Sequence, residues 1–176
     1  MAKVIRNRVV VDDARQTIRL AEGDTPEGVA LPAGPLLVPL AVWQARADEL
    51  AARGDVGVWL AAGEGAEAIA AELPRLAAVG VHFPAFTDGR GYSTAALLRT
   101  RYGYTGELRA IGDVLRDQFQ AYVRCGFDTL QPPEGRYSDE QLQAALASLG
   151  DISTPYQGAV DEPRPLWLRA QRGVAA

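Results

Sequence analysis

Short apolar runs alternate with helical patterns between Leu36 and Leu149, and this alternation constrains the fold more than any other feature. Strands separated by helices pair in parallel, because each crossover helix returns the chain to the same end of the sheet. We therefore predict an α/β fold with about five successive strand–helix units and a mainly parallel sheet. The predicted strands are Leu36–Leu40, Val56–Leu60, Val81–Phe86, Leu108–Ile111 and Phe127–Leu130. The predicted helices are 43–51, Ala66–Leu73, Thr94–Arg101, Asp113–Arg124 and 142–149.

Two arrangements of such a sheet fit this pattern: an open doubly wound sheet or a partial (βα) barrel. Five units are too few for a complete barrel, which has eight. A length of 176 residues suits one domain. We expect that domain over residues 1–150, with an N-terminal strand and loop segment over 1–35 and an extended or disordered tail over 151–176.

Local signals mark several element boundaries. Val4–Val11 predicts a strand, and Thr17–Leu20 is its expected hairpin partner. Gly54 directly follows the first predicted helix and is expected to end it. Ser138 and Gln141 have the spacing of a capping box at the start of the last helix.

Composition excludes several classes of function. The net charge of −4 offers no basic face for nucleic acid. No apolar run approaches the roughly 20 residues that span a bilayer, so we expect a cytoplasmic protein that does not bind membranes. With one cysteine, Cys125, and one histidine, His82, this chain alone cannot supply the ligands of an iron–sulfur cluster or a zinc site.

The turn Asp88–Ser93 follows the third predicted strand, where parallel α/β folds gather ligands. Gly89 and Gly91 allow close backbone approach, Arg90 can bind an oxyanion through two parallel bonds, and Ser93 is a plausible helix N-cap. These residues predict an anion site. Asp88 could accept a proton or simply hold Arg90, and a plain tight turn is the alternative.

Two further residues are candidates near this turn. Asp113 follows the next predicted strand, and if it lies beside Asp88 the two carboxylates could share acid–base work. A helix cap is the simpler interpretation of Asp113. Arg109 lies within an apolar strand, where it must be paired, and it could contribute to the same anion site.

The segment Gly63–Ala68 matches the dinucleotide fingerprint in its G-x-G-x-x-A form. Gly63 and Gly65 are therefore weak candidates for binding NAD(P) or flavin. A plain loop between a strand and a helix would account for the same residues. His82 lies in an apolar strand and is expected to be a core histidine. Cys125 is expected to be a small buried hydrophobic residue.

The stretch Phe83–Arg99, with the letters FPAFTDGRGYSTAALLR, resembles the centre of a bacterial domain-of-unknown-function family, number 934. The resemblance is close from Phe83 to Asp128, loose from Leu36 to Leu149 and poor beyond. The positions that match the family pattern are Asp88, Gly89, Arg90, Tyr92, Ser93, Arg109 and Asp113.

That resemblance implies a place in sulfite reduction and sulfate assimilation, because family members carry the label of probable oxidoreductases of that pathway. It implies no catalytic residues. Three hypotheses follow: an accessory protein with an oxyanion pocket, a non-catalytic adaptor for a sulfite reductase subunit, and a nicotinamide- or flavin-dependent oxidoreductase. The tail, through Leu166–Leu168, could also contact a second copy of the chain in a homodimer.

Overall fold

A computed structural model describes residues 2–149 and 155–169. In those residues the strands are β1 (Ala2–Arg6), β2 (Val9–Asp13), β3 (Gln16–Thr17), β4 (Leu36–Pro39), β5 (Val56–Leu60), β6 (Ala78–Phe83), β7 (Glu107–Gly112) and β8 (Thr129–Leu130). The α-helices are α1 (Leu40–Arg53), α2 (Arg90–Thr100), α3 (Phe119–Arg124), α4 (Asp139–Ser148) and α5 (Leu166–Arg169). Short 3-10 turns cover Ala66–Ile69, Leu73–Arg75 and Arg116–Gln118.

All the strands form one mixed sheet in the order β2-β1-β8-β7-β6-β5-β4-β3. From β3 to β8 each strand pairs in parallel with its neighbour, whereas β1 pairs antiparallel with both β2 and β8. Strand order follows chain order from β3 to β8 without the reversal that a doubly wound sheet requires. The sheet is a curled half-barrel, so the doubly wound alternative is wrong.

The connection between β5 and β6 does not contain the predicted helix Ala66–Leu73. Two 3-10 turns, Ala66–Ile69 and Leu73–Arg75, replace it. Pro74 explains the difference, because proline lacks an amide donor and its ring clashes with the carbonyl four residues earlier. The expectation of five strand–helix units is therefore not confirmed.

The N-terminal segment also differs from its prediction. Asn7 and Arg8 both have positive φ angles, 49° and 64°, and they turn the chain between β1 and β2. Two central residues with positive φ are typical of the tight turns that suit the twist of a hairpin. Val4–Val11 is therefore a hairpin rather than one strand, and β3 lies at the opposite edge of the sheet, paired with β4.

Predicted helix boundaries at two places are confirmed. Gly54 ends α1 in the left-handed conformation, with a φ of 73°. Ser138 caps α4, and Gln141 completes the reciprocal capping box. In both cases the signal is local, so neighbouring elements do not override it.

The sheet has two different faces, since alternate residues of a strand point to opposite sides. One face packs against the helices, with Val58, Val81 and Leu108 in the same apolar cluster as Trp43 and Leu98. We call the opposite side the inner face; its residues include Leu37, Trp59, Ala78, His82, Arg109 and Ile111. The inner face carries the charged and aromatic side chains on which the site depends.

Part of the C-terminal tail lies on α3. The backbone amide of Val160 donates to the carbonyl of Arg124 at 3.0 Å, and the Arg124 guanidinium donates to the carbonyl of Gln157 at 2.8 Å. Residues 155–169 thus form turns and α5 on the domain surface, whereas 151–154 and 170–176 lie outside the described residues. Contact of Leu166–Leu168 with a second copy stays a prediction.

Candidate functional site

The loops that follow β6 and β7 open at a common rim of the sheet. Phe83 and Gly112 are partners in the parallel register, so the two strands end side by side. The amide of Asp113 donates to the Phe83 carbonyl at 2.8 Å, and the amide of Phe86 donates to Asp113 Oδ2 at 2.9 Å. The turns centred on Gly89 and Gly112 therefore belong to the same end of the half-barrel.

Asp88 holds Arg90 through two hydrogen bonds at this rim. Arg90 donates through Nε to Asp88 Oδ1 at 3.0 Å and through its terminal nitrogen to Oδ2 at 2.6 Å. The side chain of Arg90 is still 64% exposed. The hydrogen bonds from Arg90 lower the pKa of Asp88 to about 2, so this carboxyl is ionised at neutral pH and unsuited to general acid–base work there.

The neighbours of Arg90 have roles that the sequence pattern did not predict. Helix α2 begins at Arg90 with Gly89 as its N-cap, so Ser93 lies inside the helix and is not the cap. Gly91 is buried, and a Cβ there would lie 2.6 Å from the Phe83 ring. Gly91 therefore lets α2 pack closely on β6 and does not face a ligand.

Asp113 joins two loops and caps no helix. The 3-10 turn that follows begins at Arg116 with Leu115 as its N-cap. The Asp113 carboxylate instead accepts the Phe86 amide, and the Gln118 side chain donates to the Phe86 carbonyl at 2.7 Å. Asp88 and Asp113 thus share a rim, but each is committed to a different partner.

Arg109 lies apart from the Asp88–Ser93 turn, in a buried ion network on the inner face. Its side chain has no exposed surface, and it bonds Asp13 at 2.5 Å and Glu107 at 2.7 Å. It also donates to Gln131 Oε1 at 2.9 Å. Burial alone would lower the pKa of Arg109, but its bonds to Asp13 and Glu107 raise it above the usual value. These partners occupy the guanidinium, as expected for a buried arginine.

The segment Gly63–Ala68 does not form the turn into an α-helix that a dinucleotide fingerprint needs. It leads into the 3-10 turn Ala66–Ile69, with Gly65 as the N-cap. A Cβ on Gly65 would lie 2.2 Å from a Glu67 carboxylate oxygen, so an acidic side chain fills the space a phosphate would use. Gly63 faces Arg90, whose terminal nitrogen lies 3.7 Å from its ideal Cβ position.

A cavity of about 400 Å³ opens at the C-terminal ends of β7 and β8, next to this rim. We call it the mouth cavity; its lining residues are Thr17, Arg19, Ile111, Gly112, Asp113, Gln131, Pro132, Pro133 and Glu134. The Trp59 indole donates to the Ile18 carbonyl at 2.9 Å and so holds the segment after β3 at this end. That contact places Arg19 at the cavity.

Arg19 is the cation of the mouth cavity. Its guanidinium carbon lies 5.5 Å from the centre of the Trp59 ring. Among the described residues, no carboxylate lies within the 4.0 Å of an ion pair with Arg19. A guanidinium stacked on an aromatic face keeps its in-plane donors for an oxyanion. No local motif marks Arg19, so only the fold reveals it.

Two neutral groups join Arg19 in the lining. The Thr17 hydroxyl oxygen is buried and has no hydrogen-bond partner in the described part of the chain. The Gln131 amide oxygen is committed to Arg109, which leaves its nitrogen as a donor toward the cavity. Hydroxyl and amide donors next to an arginine suit an oxyanion.

His82 lies on the same inner face, with its ring 5.5 Å from that of Trp59. Burial, followed by the charge of Arg19, lowers the pKa of His82 below its usual value. The imidazole is therefore neutral at pH 7. In residues 2–149 and 155–169, no cluster of three or more histidine, cysteine, aspartate or glutamate side chains could hold a metal ion.

The family model described as "Bacterial protein of unknown function (DUF934)" matches residues 57–167, which is more than half of the chain. The chain belongs to the DUF934 family. The match includes Asp88, Arg90, Asp113 and Gln131, and it extends beyond Leu149, where the sequence resemblance was expected to be poor. It begins after β3, so Thr17 and Arg19 lie outside the DUF934 match.

Comparison with the curated proteins gave no match. Within the described part of this DUF934 protein, no helix is long and apolar enough to cross a membrane.

Proposed function

We propose that this protein is an accessory protein of sulfite reduction that binds a small sulfur oxyanion in the mouth cavity, through Arg19. The pathway comes from the family resemblance, and the oxyanion from the chemistry of the cavity. One observation carries the proposal: among the described residues Arg19 has no carboxylate partner, and it lies over Trp59 at the C-terminal ends of parallel strands.

The charge state of the two rim arginines favours Arg19 over Arg90. Asp88 neutralises Arg90, so an incoming anion there meets a carboxylate as well as a guanidinium. Asp113 and Glu134 also line the mouth cavity, but among the described residues neither forms an ion pair with Arg19. Thr17 and Gln131 add two more polar groups to the same lining. The proposal therefore moves the expected anion site from Gly89–Ser93 to the mouth cavity.

Calorimetric titration with sulfite and with sulfate tests this proposal. Arg19→Ala should weaken binding by about tenfold to a hundredfold, because a charge-assisted bond contributes about 1.5–3 kcal/mol. Arg90→Ala is the matched control, since it also removes a rim arginine, and it should leave affinity unchanged. If Arg90→Ala weakened binding and Arg19→Ala did not, the anion site would lie at Asp88–Ser93. Binding that neither substitution affects would contradict the proposal.

A second candidate function, an adaptor for a sulfite reductase subunit, has one supporting observation. Tyr156, Trp167 and Leu168 are exposed apolar side chains on the docked tail, and the two aromatic rings lie 5.2 Å apart. Deletion of residues 151–176 should then abolish co-purification with that subunit. Unchanged co-purification would contradict the adaptor hypothesis.

A further inference from the structure

The mouth cavity is larger than a bare sulfur oxyanion needs. Its volume of about 400 Å³ falls in the range of sites for organic ligands, and sulfite would fill only a small part of it. Ile111, Pro132 and Pro133 provide apolar wall beside the polar groups. Size and lining together indicate a ligand with an organic body.

Charges of both signs line this cavity. Arg19 is its cation, whereas Asp113 and Glu134 are its carboxylates. Glu134 is exposed and makes no hydrogen bond or ion pair with any other residue that the structure describes. Asp113 uses Oδ2 for the Phe86 amide, which leaves Oδ1 as an acceptor.

The balance of these charges selects among ligands. Carboxylates outnumber the arginine in the lining, so a bare dianion is attracted by one charge and repelled by two. A ligand with an anionic end and a cationic end can satisfy charges of both signs at once. Because opposite charges must be matched by position, such a lining provides specificity more than raw affinity.

We propose that the mouth cavity binds a small organic zwitterion of the aminoalkyl sulfonate class. Its sulfur oxyanion lies against Arg19, Thr17 and Gln131, and its ammonium group lies against Glu134 and Asp113. This rests on the proposed function for the oxyanion end, and it adds the organic body and the ammonium group.

A matched pair of ligands tests the ammonium end on the full-length chain. Taurine and isethionate share a two-carbon sulfonate, but taurine ends in an ammonium group and isethionate in a hydroxyl. Taurine should bind about fivefold more tightly, the effect of one solvent-exposed ion pair. Glu134→Gln should remove most of that difference by weakening taurine, and it should not weaken isethionate, which has no ammonium group, whereas Arg19→Ala should weaken both ligands.

The outcomes separate the two proposals. Equal affinities for taurine and isethionate, both reduced by Arg19→Ala, overturn the zwitterion and keep the oxyanion site. A taurine preference that survives Glu134→Gln overturns the assignment of the ammonium group. Affinities for sulfite, taurine and isethionate that Arg19→Ala leaves unchanged overturn the oxyanion site itself.

Discussion

The two ends of the inner face hold similar side chains in opposite states. At the N-terminal end of β7, Asp13 and Glu107 enclose Arg109, which has no exposed surface. At the C-terminal end, Arg19 lies over Trp59 without a carboxylate partner in the described chain. An arginine surrounded by the chain's own carboxylates stabilises the fold, whereas one without them is available to a ligand.

We call the end that holds Arg109 the closed end and the end that holds Arg19 the open end. The closed end also ties the N-terminal segment to the sheet. Arg15 donates to the carbonyls of Leu36 and Asp55 at 3.1 and 2.9 Å, where β4 and β5 begin. Its Nε lies 3.7 Å from Glu107. In barrels of strand–helix units, this end serves stability and the opposite end serves chemistry. In this half-barrel the buried ion network lies at the N-terminal end of β7, as that division predicts.

The largest expected effect is at the closed end. Arg109→Met leaves the buried Asp13 with only Arg6 as a cation, at 2.8 Å, and breaking a buried ion pair costs up to about 3–5 kcal/mol. Urea unfolding at pH 7 measures that loss. Arg90→Ala at the open end is the control and should cost less than about 1 kcal/mol, because its pair is exposed. A comparable loss in both variants would remove the distinction between the ends.

A middle-sized effect is expected in the titration of His82. The pKa of His82 is lowered first by burial and then by Arg19, so Arg19→Ala should raise it while leaving it below its usual value. The chain has one histidine, so its imidazole resonances in NMR report this pKa without ambiguity. An unchanged pKa would place Arg19 away from the inner face.

The lowered pKa of His82 also makes the free energy of unfolding depend on pH. A folded-state pKa below the unfolded value means that His82 contributes stability above about pH 6.5 and loses it as pH falls through the folded value. In Arg19→Ala the loss should begin at the same pH, which the unfolded state sets, but it should end at a higher pH and be smaller in total.

The smallest expected effect compares two threonines. Thr17→Val removes a buried hydroxyl without a partner, so stability should stay the same or rise by up to about 1 kcal/mol. Thr129→Val is the control at the closed end, because the Thr129 hydroxyl donates to Asp128 at 3.2 Å. That substitution should cost about 0.5–1.5 kcal/mol, the net contribution of one hydrogen bond, because Asp128 keeps its bonds from Arg99 and from the Leu108 amide. Equal changes in the free energy of unfolding for the two variants, measured in urea, would contradict the expected difference between Thr17 and Thr129.

Local chemistry made part of this structure predictable. The Gly54 stop and the Ser138 capping box depend on neighbouring residues alone, and both are confirmed. The turns at Gly89 and Gly112 share a rim because neighbouring parallel strands end at the same edge of a sheet, which is a general rule. The hairpin at Asn7–Arg8 was not predicted, because arginine replaces the glycine that usually marks the second position of such a turn.

The candidate site was less predictable, because its members come from distant parts of the sequence. Ser93 has the side chain of an N-cap, but Gly91 lets α2 start earlier by packing on Phe83. Arg19 looks like any surface arginine until β3 pairs with β4 and Trp59 binds the Ile18 carbonyl. Such contacts are set by the whole fold, and no short pattern contains them.

The pairing of β1 with β8 sets an order of events during synthesis of the chain. Ile5 is aligned with Leu130, so β1 can pair with β8 only after strands β2 to β8 have left the ribosome. Contacts across such a separation are slow to form, because a long loop must close before they stabilise anything. Until β1 and β2 join the sheet, Arg109 lacks Asp13, and the half-barrel lacks its antiparallel edge.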